Sequence, residues 1–204
     1  MNIVKNKISN NSEKIFLLHQ VHSNKYIFIN KNYKNRKKIK ADAIITNVAR
    51  LPIGILTADC APILIYDHQE KMISAIHAGW KGAIKGIVPK VINFMVKKGC
   101  KKKDIVAVIG PCISQNSYKV KDDFKSKFIK KNKKNIVFFK KRKNLIYFDL
   151  PNYIKSQLKF LKITNIEMIK IDTFEKKNNF FSARQSQNSN FNDYGRNISL
   201  IMIK

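Results

Sequence analysis

Three short, almost wholly apolar runs follow one another in the middle of the chain, at residues 53–57, 63–66 and 72–77. Their lengths suit β-strands, and near-continuous apolar character is typical of strands that are buried on both faces. The polar residues 67–70 provide a hairpin turn between the second and third runs. Such a sheet needs cover on each face, so other parts of the chain must pack against it.

Part of that cover is predicted from a helical pattern after the third run. Apolar residues recur there at three- and four-residue spacing: Ile84, Ile87, Val88, Val91, Ile92, Met95 and Val96. Gly99 is well placed to end this helix, whereas Pro89 predicts a kink or a late start. A second helix, capped by Asp122 or Asp123, and a third over 151–161 are also expected.

Further strands are predicted where short apolar runs stand between turns. These runs lie at 14–18, 26–29, 41–46, 105–109, 145–148, 166–171 and 198–203. Strands bunch together in places, so a simple β-α-β alternation does not fit. The predicted fold class is mixed α/β (α+β), with more strand than helix. With no internal repeat or linker, residues 1–204 are expected to form a single domain.

The composition agrees with a globular chain, since 204 residues of which 44% are hydrophobic can bury a sizeable core. No apolar run reaches the length of a membrane span, and the first residues lack the apolar centre of a signal peptide. A soluble, cytoplasmic protein without a membrane partner is therefore expected. An odd number of cysteines, Cys60, Cys100 and Cys112, indicates reduced thiols and not a disulfide framework.

The formal charge of +28 admits two interpretations. A basic chain can bind nucleic acid by releasing counterions, and lysine is densest between residues 119 and 143. However, Lys, Asn and Ile are abundant throughout, and arginines and interleaved aromatics at an RNA-binding spacing are scarce. No specific nucleic-acid partner is predicted. The diffuse positive field favours the approach of an anionic substrate such as phosphate.

Histidine and cysteine stand at predicted strand ends in three motifs. These are His-Gln-Val-His at 19–22, Thr-Ala-Asp-Cys at 57–60 and His-Ala-Gly-Trp-Lys-Gly at 77–82. His22, Cys60 and His77 form a set of two imidazoles and one thiol that suits zinc or copper. Three protein ligands leave a coordination position open for water or substrate, which indicates an enzyme. His19, expected on the opposite side of its strand, and His68, in the hairpin turn, are not assigned to this set.

Charged residues beside these motifs supply candidates for other roles. Asp59 is a candidate general base or a hydrogen-bond acceptor for a ligand imidazole. Lys81, near a predicted helix start, and Arg184 are candidates for binding phosphate. Arg196 suits the same contact, and Cys112 is either a packed small residue or part of the same pocket.

The combined motifs resemble those of the YfiH family, whose members are also called laccase-domain or polyphenol oxidase proteins and purine nucleoside phosphorylases. The motifs that carry the resemblance are those at 19–22, 41–46, 57–62, 77–82, 109–113 with Tyr118, 181–184 and 195–196. The resemblance implies layered β-sheets flanked by helices, as in cytotoxic necrotising factor-like cysteine hydrolases. It also implies zinc on His22, Cys60 and His77.

Two features differ from the family pattern. Few residues precede the first motif, so part of the substrate pocket is expected to be missing or rebuilt. The family usually has arginine where this chain has Lys81, and lysine keeps the charge but lacks the bidentate fork.

The leading hypothesis is a zinc-dependent purine nucleoside phosphorylase. The resemblance implies adenosine, inosine, guanosine and methylthioadenosine as substrates, phosphate as the second substrate, and adenosine deamination as a second activity. One alternative is a cysteine hydrolase acting on peptidoglycan precursors, with Cys60 as nucleophile and His77 as base. Another is a copper-dependent phenol oxidase, although three ligands cannot hold the several copper ions of a laccase. The last is a non-enzymatic basic nucleic-acid binder.

Overall fold

The computed structural model describes residues 15–33, 39–188 and 194–204. Its strands are β1 (Tyr26–Ile29), β2 (Ala43–Thr46), β3 (Ile53–Thr57), β4 (Ala61–Asp67), β5 (Met72–Ala78), β6 (Ile105–Ile109), β7 (Lys119–Val120), β8 (Phe139–Arg142), β9 (Leu145–Phe148), β10 (Asn165–Met168) and β11 (Asn197–Ile201). Its α-helices are α1 (Trp80–Ile84), α2 (Ile87–Lys97), α3 (Asp122–Lys131), α4 (Leu150–Phe160) and α5 (Ala183–Asn188). Short 3₁₀ helices span Lys133–Phe138 and Lys176–Asn178.

A six-stranded sheet in the order β1-β2-β5-β4-β6-β10 forms the centre of the fold. Strands β1 and β2 run parallel, as do β6 and β10, and the other neighbours are antiparallel. Strands β3 and β11 pair antiparallel in a second sheet, and β7, β9 and β8 form a third. The predicted mixed α/β fold with layered sheets is therefore confirmed, and simple β-α-β alternation is absent from the described residues.

Alternating side chains of the central strands enter two different cores. Ile45 and Ile76 pack in a core with α2 and α4, whereas Ile44 and Ile73 face a core shared with Ile55 of β3. The central strands are thus buried on both faces, which explains why their sequences are apolar at nearly every position. An aromatic group around Phe128, from α3, extends the helical side of the first core.

The predicted helix after β5 is two helices. Gly86, with φ +80°, separates α1 from α2, and Pro89 lies in the first turn of α2, where a missing N–H leaves no intrahelical bond unmade. Of the expected kink or late start, the structure has the late start, because α2 begins at Ile87, two residues before Pro89. Gly99 follows the end of α2 with φ +107°.

Three local predictions are corrected. The residue before α3 is Lys121, and the two aspartates expected as caps lie in the first turn, where they still favour the positive end of the helix dipole. In the described part of the expected strand at 14–18, Phe16 makes only an isolated bridge to Ile53. The strand expected at 166–171 ends at Met168.

Three remaining predictions concern the substrate pocket, the domain organisation and a membrane span. The short segment before the first motif lies largely outside the described residues, so the expected change in the pocket stays a prediction, as does the single domain. Across the described ranges, no helix is both long and apolar enough to cross a membrane.

Candidate metal centre

His22, Cys60 and His77 converge at one edge of the fold, although they come from distant parts of the chain. One potential ligand atom from each lies within 4.8 Å of the other two. Cys60 Sγ is 3.8 Å from His22 Nε2, and the two imidazole rings meet edge to face with centroids 4.7 Å apart. His77 is buried, Cys60 half-buried and His22 exposed. The cluster therefore opens to solvent on the side of His22.

The buried carboxylate of Asp42 holds two of these three residues. Its Oδ1 accepts a hydrogen bond of 2.9 Å from His77 Nδ1 and one of 2.9 Å from the backbone N–H of His22. The backbone N–H and the hydroxyl of Ser23 donate to Oδ2 at 2.6 and 2.7 Å. Because Nδ1 of His77 is occupied by Asp42, its Nε2 is the nitrogen available to a ligand.

Asp42 belongs to the motif at 41–46, and the sequence alone predicts no role for it. The available signal was a carboxylate directly before an apolar strand, since a buried Asp needs partners for its charge. The identity of those partners depends on contacts across 35 residues of sequence, which spacing alone does not show.

A sharp turn between β3 and β4 places Cys60 in the cluster. Asp59 has φ +80°, a region that Asp tolerates better than most residues. Its side chain accepts hydrogen bonds from Thr173 Oγ1 at 2.8 Å and from the backbone N–H of Arg184 at 2.7 Å. Asp59 thus connects the turn to two later segments of the chain. The hydrogen bond from an imidazole of the cluster, for which Asp59 was a candidate acceptor, goes to Asp42.

Gly79 leaves the space that the cluster occupies. A Cβ atom at this position would lie 2.8 Å from Cys60 Sγ and 3.0 Å from His22 Cδ2. Any larger residue at the start of α1 would therefore push against two of the three candidate ligands.

Hydrogen bonds within the cluster outweigh the effect of burial on its pKa values. Burial acts to raise the pKa of the Cys60 thiol, but His22 and His77 bring it down to about 7. Burial acts to lower the pKa of His77, but Asp42 and Cys60 raise it to about 9. Burial acts to raise the pKa of Asp42 as well, but His77 and Ser23 hold it at about 2. The cluster thus favours a thiolate near neutral pH, the form that binds metals.

The donor set fits a transition-metal ion. Tetrahedral zinc with bonds of about 2.3 Å to sulfur and about 2.1 Å to nitrogen separates these two ligand atoms by about 3.6 Å. The observed separation of 3.8 Å between Cys60 Sγ and His22 Nε2 needs little adjustment to reach this value. The hydrogen bond from His77 to Asp42 is of the kind that orients histidine ligands of metals.

The other predicted residues lie at different distances from the cluster. Arg184 and Asp59 line a chamber of about 240 Å³ beside it, together with Trp80 and Tyr118. Two other residues considered in the sequence lie outside the chamber. Lys81 is exposed, and its Nζ lies 5.7 Å from the centre of the Trp80 ring.

His68 is exposed in the hairpin turn, next to Gln69.

A second cleft of about 240 Å³ lies on the other side of the cluster. His19 and Arg196 line this cleft with His22, Cys60 and His77. The expectation that His19 faces away from His22 is therefore wrong. His19 bridges to Lys40, and Gln20, the next residue, turns inward to bond the backbone of Leu56.

Cys112 is buried and lines neither of the two spaces beside the cluster. It lines a separate cavity of about 600 Å³ with Asp172. None of the three candidate ligands contacts that cavity.

The fold and the cluster define a class of protein: a layered α/β protein with a His–Cys–His set suited to a transition metal at the ends of its strands. Similarity to known proteins identifies the family within this class. The chain belongs to the family described as multi-copper polyphenol oxidoreductase laccase, whose model matches residues 1–204.

Curated relatives are named purine nucleoside phosphorylases. A Rickettsia conorii protein of this name is 34% identical over 196 residues, covering 95% of this chain and 80% of its own. An Aquifex aeolicus protein of the same name is 34% identical over 154 residues, covering 74% and 72% of the two chains. The resemblance seen in the motifs and the expectation of an enzyme are confirmed by these matches.

Solved structures show the same fold. The structure of the hypothetical protein YfiH from Bacillus licheniformis superimposes with a TM-score of 0.88 at 24% identity, covering 99% of this chain and 79% of that one. A protein from Neisseria meningitidis superimposes with a TM-score of 0.81 at 23% identity, covering 100% and 79%.

Proposed function

We propose that this protein is a zinc-dependent purine nucleoside phosphorylase with His22, Cys60 and His77 as the metal ligands. The substrates would be adenosine, inosine, guanosine and methylthioadenosine, with adenosine deamination as a second activity. The observation that carries the proposal is the convergence of three metal-binding side chains in a chain whose curated relatives bear the name purine nucleoside phosphorylase.

In phosphorolysis, a phosphate oxygen bonds to C1′ of the ribose while the bond from C1′ to the purine nitrogen breaks. The electron pair of that bond leaves with the base, which takes up a proton. When bound, zinc supplies positive charge that orients phosphate or activates water. The half-buried guanidinium of Arg184 lines the chamber beside the cluster and is the proposed contact for phosphate. Lys81, outside the chamber, would add positive charge from a distance.

Asp59 and Asp42 have different proposed roles. Both carboxylate oxygens of Asp59 already accept hydrogen bonds, which favours a positioning role over proton transfer. Asp42 fixes the ring orientation of His77 and is the proposed positioning residue for that ligand.

A cysteine hydrolase is the second candidate, and one observation favours it. Cys60 Sγ lies within 4.8 Å of a potential ligand nitrogen of His77, and Nδ1 of the same ring bonds to Asp42. A thiol, an imidazole and a carboxylate in series form the arrangement of a nucleophile, a base and its orienting group.

One set of measurements separates the two functions. The purified protein is assayed for bound zinc and copper, and for release of base from adenosine and inosine with and without phosphate. The phosphorylase hypothesis predicts phosphate-dependent release that is lost on chelation and in His77→Ala, with His68→Ala as the control for an exposed histidine. Phosphate-independent amide cleavage that survives chelation but is lost in Cys60→Ala would contradict it and support the hydrolase.

A further inference from the structure

A groove of aromatic and cationic side chains adjoins the chamber beside the cluster. It encloses about 380 Å³ and is formed by α1, by β7 and by the first turns of α3. We name it the aromatic–cationic groove, and its main residues are Trp80, Tyr118, Lys121, Phe124, Lys127 and Arg184. Trp80, Tyr118 and Arg184 line both the groove and the chamber. A ligand that occupies the chamber can therefore extend into the groove.

The groove has an excess of positive charge. Four cationic side chains and one carboxylate line it. The carboxylate, Asp123, is exposed and lies 3.3 Å from Lys127 Nζ, so this pair is weak in water. The lysine-rich run at 119–143 contributes three of these cations.

Aromatic rings support the cations on the groove wall. Lys127 Nζ lies 5.6 Å from the centre of the Trp80 ring, and the Arg184 guanidinium lies 5.5 Å from the centre of the Tyr118 ring. Arg184 also donates a hydrogen bond of 2.8 Å to the backbone oxygen of Lys119. Cations that are held by rings and backbone, with little acidic partnering, keep their charge available for an anion.

We propose that the aromatic–cationic groove binds, through Lys121 and Lys127, the phosphate group of a nucleoside 5′-phosphate, while Arg184, at the border with the chamber, remains the contact for inorganic phosphate. This inference rests on the proposed function, because it needs the nucleoside part to occupy the chamber beside His22, Cys60 and His77. The groove and the chamber share three lining residues, which favours a phosphate attached to a ligand that occupies both. The substrate class then extends from nucleosides to their 5′-phosphates.

Trp80 gives a direct binding signal, because it is the single tryptophan of the chain and lines the groove. Titrations of adenosine 5′-phosphate, adenosine and inorganic phosphate are followed by Trp80 fluorescence, in the metal-free and the zinc-loaded protein. We expect adenosine 5′-phosphate to bind roughly tenfold more tightly than adenosine, since one charge-assisted contact is worth about this factor.

Paired variants separate the groove from the general charge of the molecule. The double variant Lys121→Gln/Lys127→Gln is expected to abolish most of the preference for the 5′-phosphate. The matched control is Lys130→Gln/Lys131→Gln, which removes the same charge from exposed positions of α3 outside the groove. Circular dichroism melts of both variants check that α3 still folds.

Each outcome decides for or against the proposal. Equal affinities for adenosine and its 5′-phosphate, or equal losses in both double variants, would overturn it. If inorganic phosphate alone displaces the nucleotide completely and only phosphate-dependent cleavage of adenosine suffers in the groove variant, the groove binds the second substrate and the proposal is wrong. Failure of the proposed function is distinct, because it appears as absent base release from adenosine whatever the fluorescence shows.

Discussion

At the scale of single residues, Asp42 positions more of the candidate metal centre than any one of the three candidate ligands. It is fully buried, accepts hydrogen bonds from three consecutive backbone N–H groups at 21–23, and orients His77. Its partners also hold its pKa at about 2, despite the burial that acts to raise it. The loop that bears one candidate ligand and the ring of another thus depend on one carboxylate.

Replacing Asp42 by Asn is predicted to destabilise the metal-free protein by about 3 kcal/mol, since breaking a buried hydrogen-bonded charge pair leaves its partners unsatisfied. Because the pKa of Asp42 is depressed, its contribution is present above about pH 4 and is lost as the pH falls through about 2. Urea unfolding of the wild-type and Asp42→Asn proteins at pH 6 and pH 3 measures both effects, and the difference in stability between the two proteins should be smaller at pH 3. Asp122→Asn, at an exposed position in the first turn of α3, is the control and should lower stability by less than about 1 kcal/mol, the size of a helix-dipole interaction. Similar losses in both variants would contradict the role of Asp42.

The reactivity of Cys60 is predicted to depend on pH near neutrality. The pKa of Cys60 is lowered to about 7 by His22 and His77 against the opposing effect of burial, so its thiolate fraction rises as the pH passes 7. In the metal-free protein, alkylation by iodoacetamide should therefore have a midpoint near pH 7. Burial raises the pKa of Cys100 to about 12 and raises that of Cys112 too, so these two thiols should react slowly. Peptide mass spectrometry distinguishes the three sites, and a Cys60 midpoint above pH 8 would show that the two imidazoles do not lower the pKa of the thiol to this extent.

At the scale of elements, the short helix α1 is framed by two glycines that serve different purposes. Gly79 precedes it with ordinary φ of −72°, and Gly86 follows it with φ +80°. A Cβ atom would meet Cys60 Sγ at Gly79 but nothing within 4 Å at Gly86. Gly79 therefore leaves room for the side chains of the candidate metal centre, and Gly86 allows the left-handed backbone conformation between α1 and α2.

Gly79→Ala is predicted to weaken zinc binding by at least tenfold while leaving most of the fold intact. The added methyl group would lie only 2.8 Å from Cys60 Sγ, which is too close for a non-bonded contact. The thiol or the His22 ring must therefore move. Competition of the metal-free protein with a chromophoric zinc chelator measures the affinity. Unchanged affinity in this variant would show that the cluster is not the zinc site.

Gly86→Ala is predicted to lower the free energy of unfolding by about 1 kcal/mol, because only the left-handed backbone conformation opposes the new side chain. Zinc affinity should not change. Gly86→Asn should be less destabilising, since Asn tolerates positive φ better than Ala. Urea unfolding of the two variants tests this order, and the reverse order would contradict the proposed backbone origin.

The elements also differ in how well the sequence predicts them. Strands β3, β5 and β6 are predictable because residues buried on both faces must be apolar at nearly every position. Strand β8 is not, because three of its four residues are exposed and basic. The three candidate ligands stand out as motifs, whereas the roles of Asp42 and His19 depend on packing between distant segments.

At the scale of the whole molecule, the candidate centre draws its three side chains from segments that lie far apart in the sequence. His22 belongs to the loop before β1, Cys60 to the turn between β3 and β4, and His77 to the end of β5. A metal that joins these three segments binds the folded chain and not the unfolded one. Binding free energy therefore adds to folding free energy.

Zinc is accordingly predicted to raise the melting temperature of the metal-free protein. Free zinc at about one hundred times its dissociation constant adds about 2.7 kcal/mol of stability, which corresponds to roughly 5–10 °C for a chain of this size. Differential scanning calorimetry across a series of free zinc concentrations measures the shift. His77→Ala should abolish most of it, whereas His68→Ala should retain it, because His68 lies exposed in the hairpin turn. A shift of equal size in both variants would mean that zinc stabilises the protein by binding at another site. Non-specific binding of a cation is not expected to contribute, because the net charge of the chain is +28.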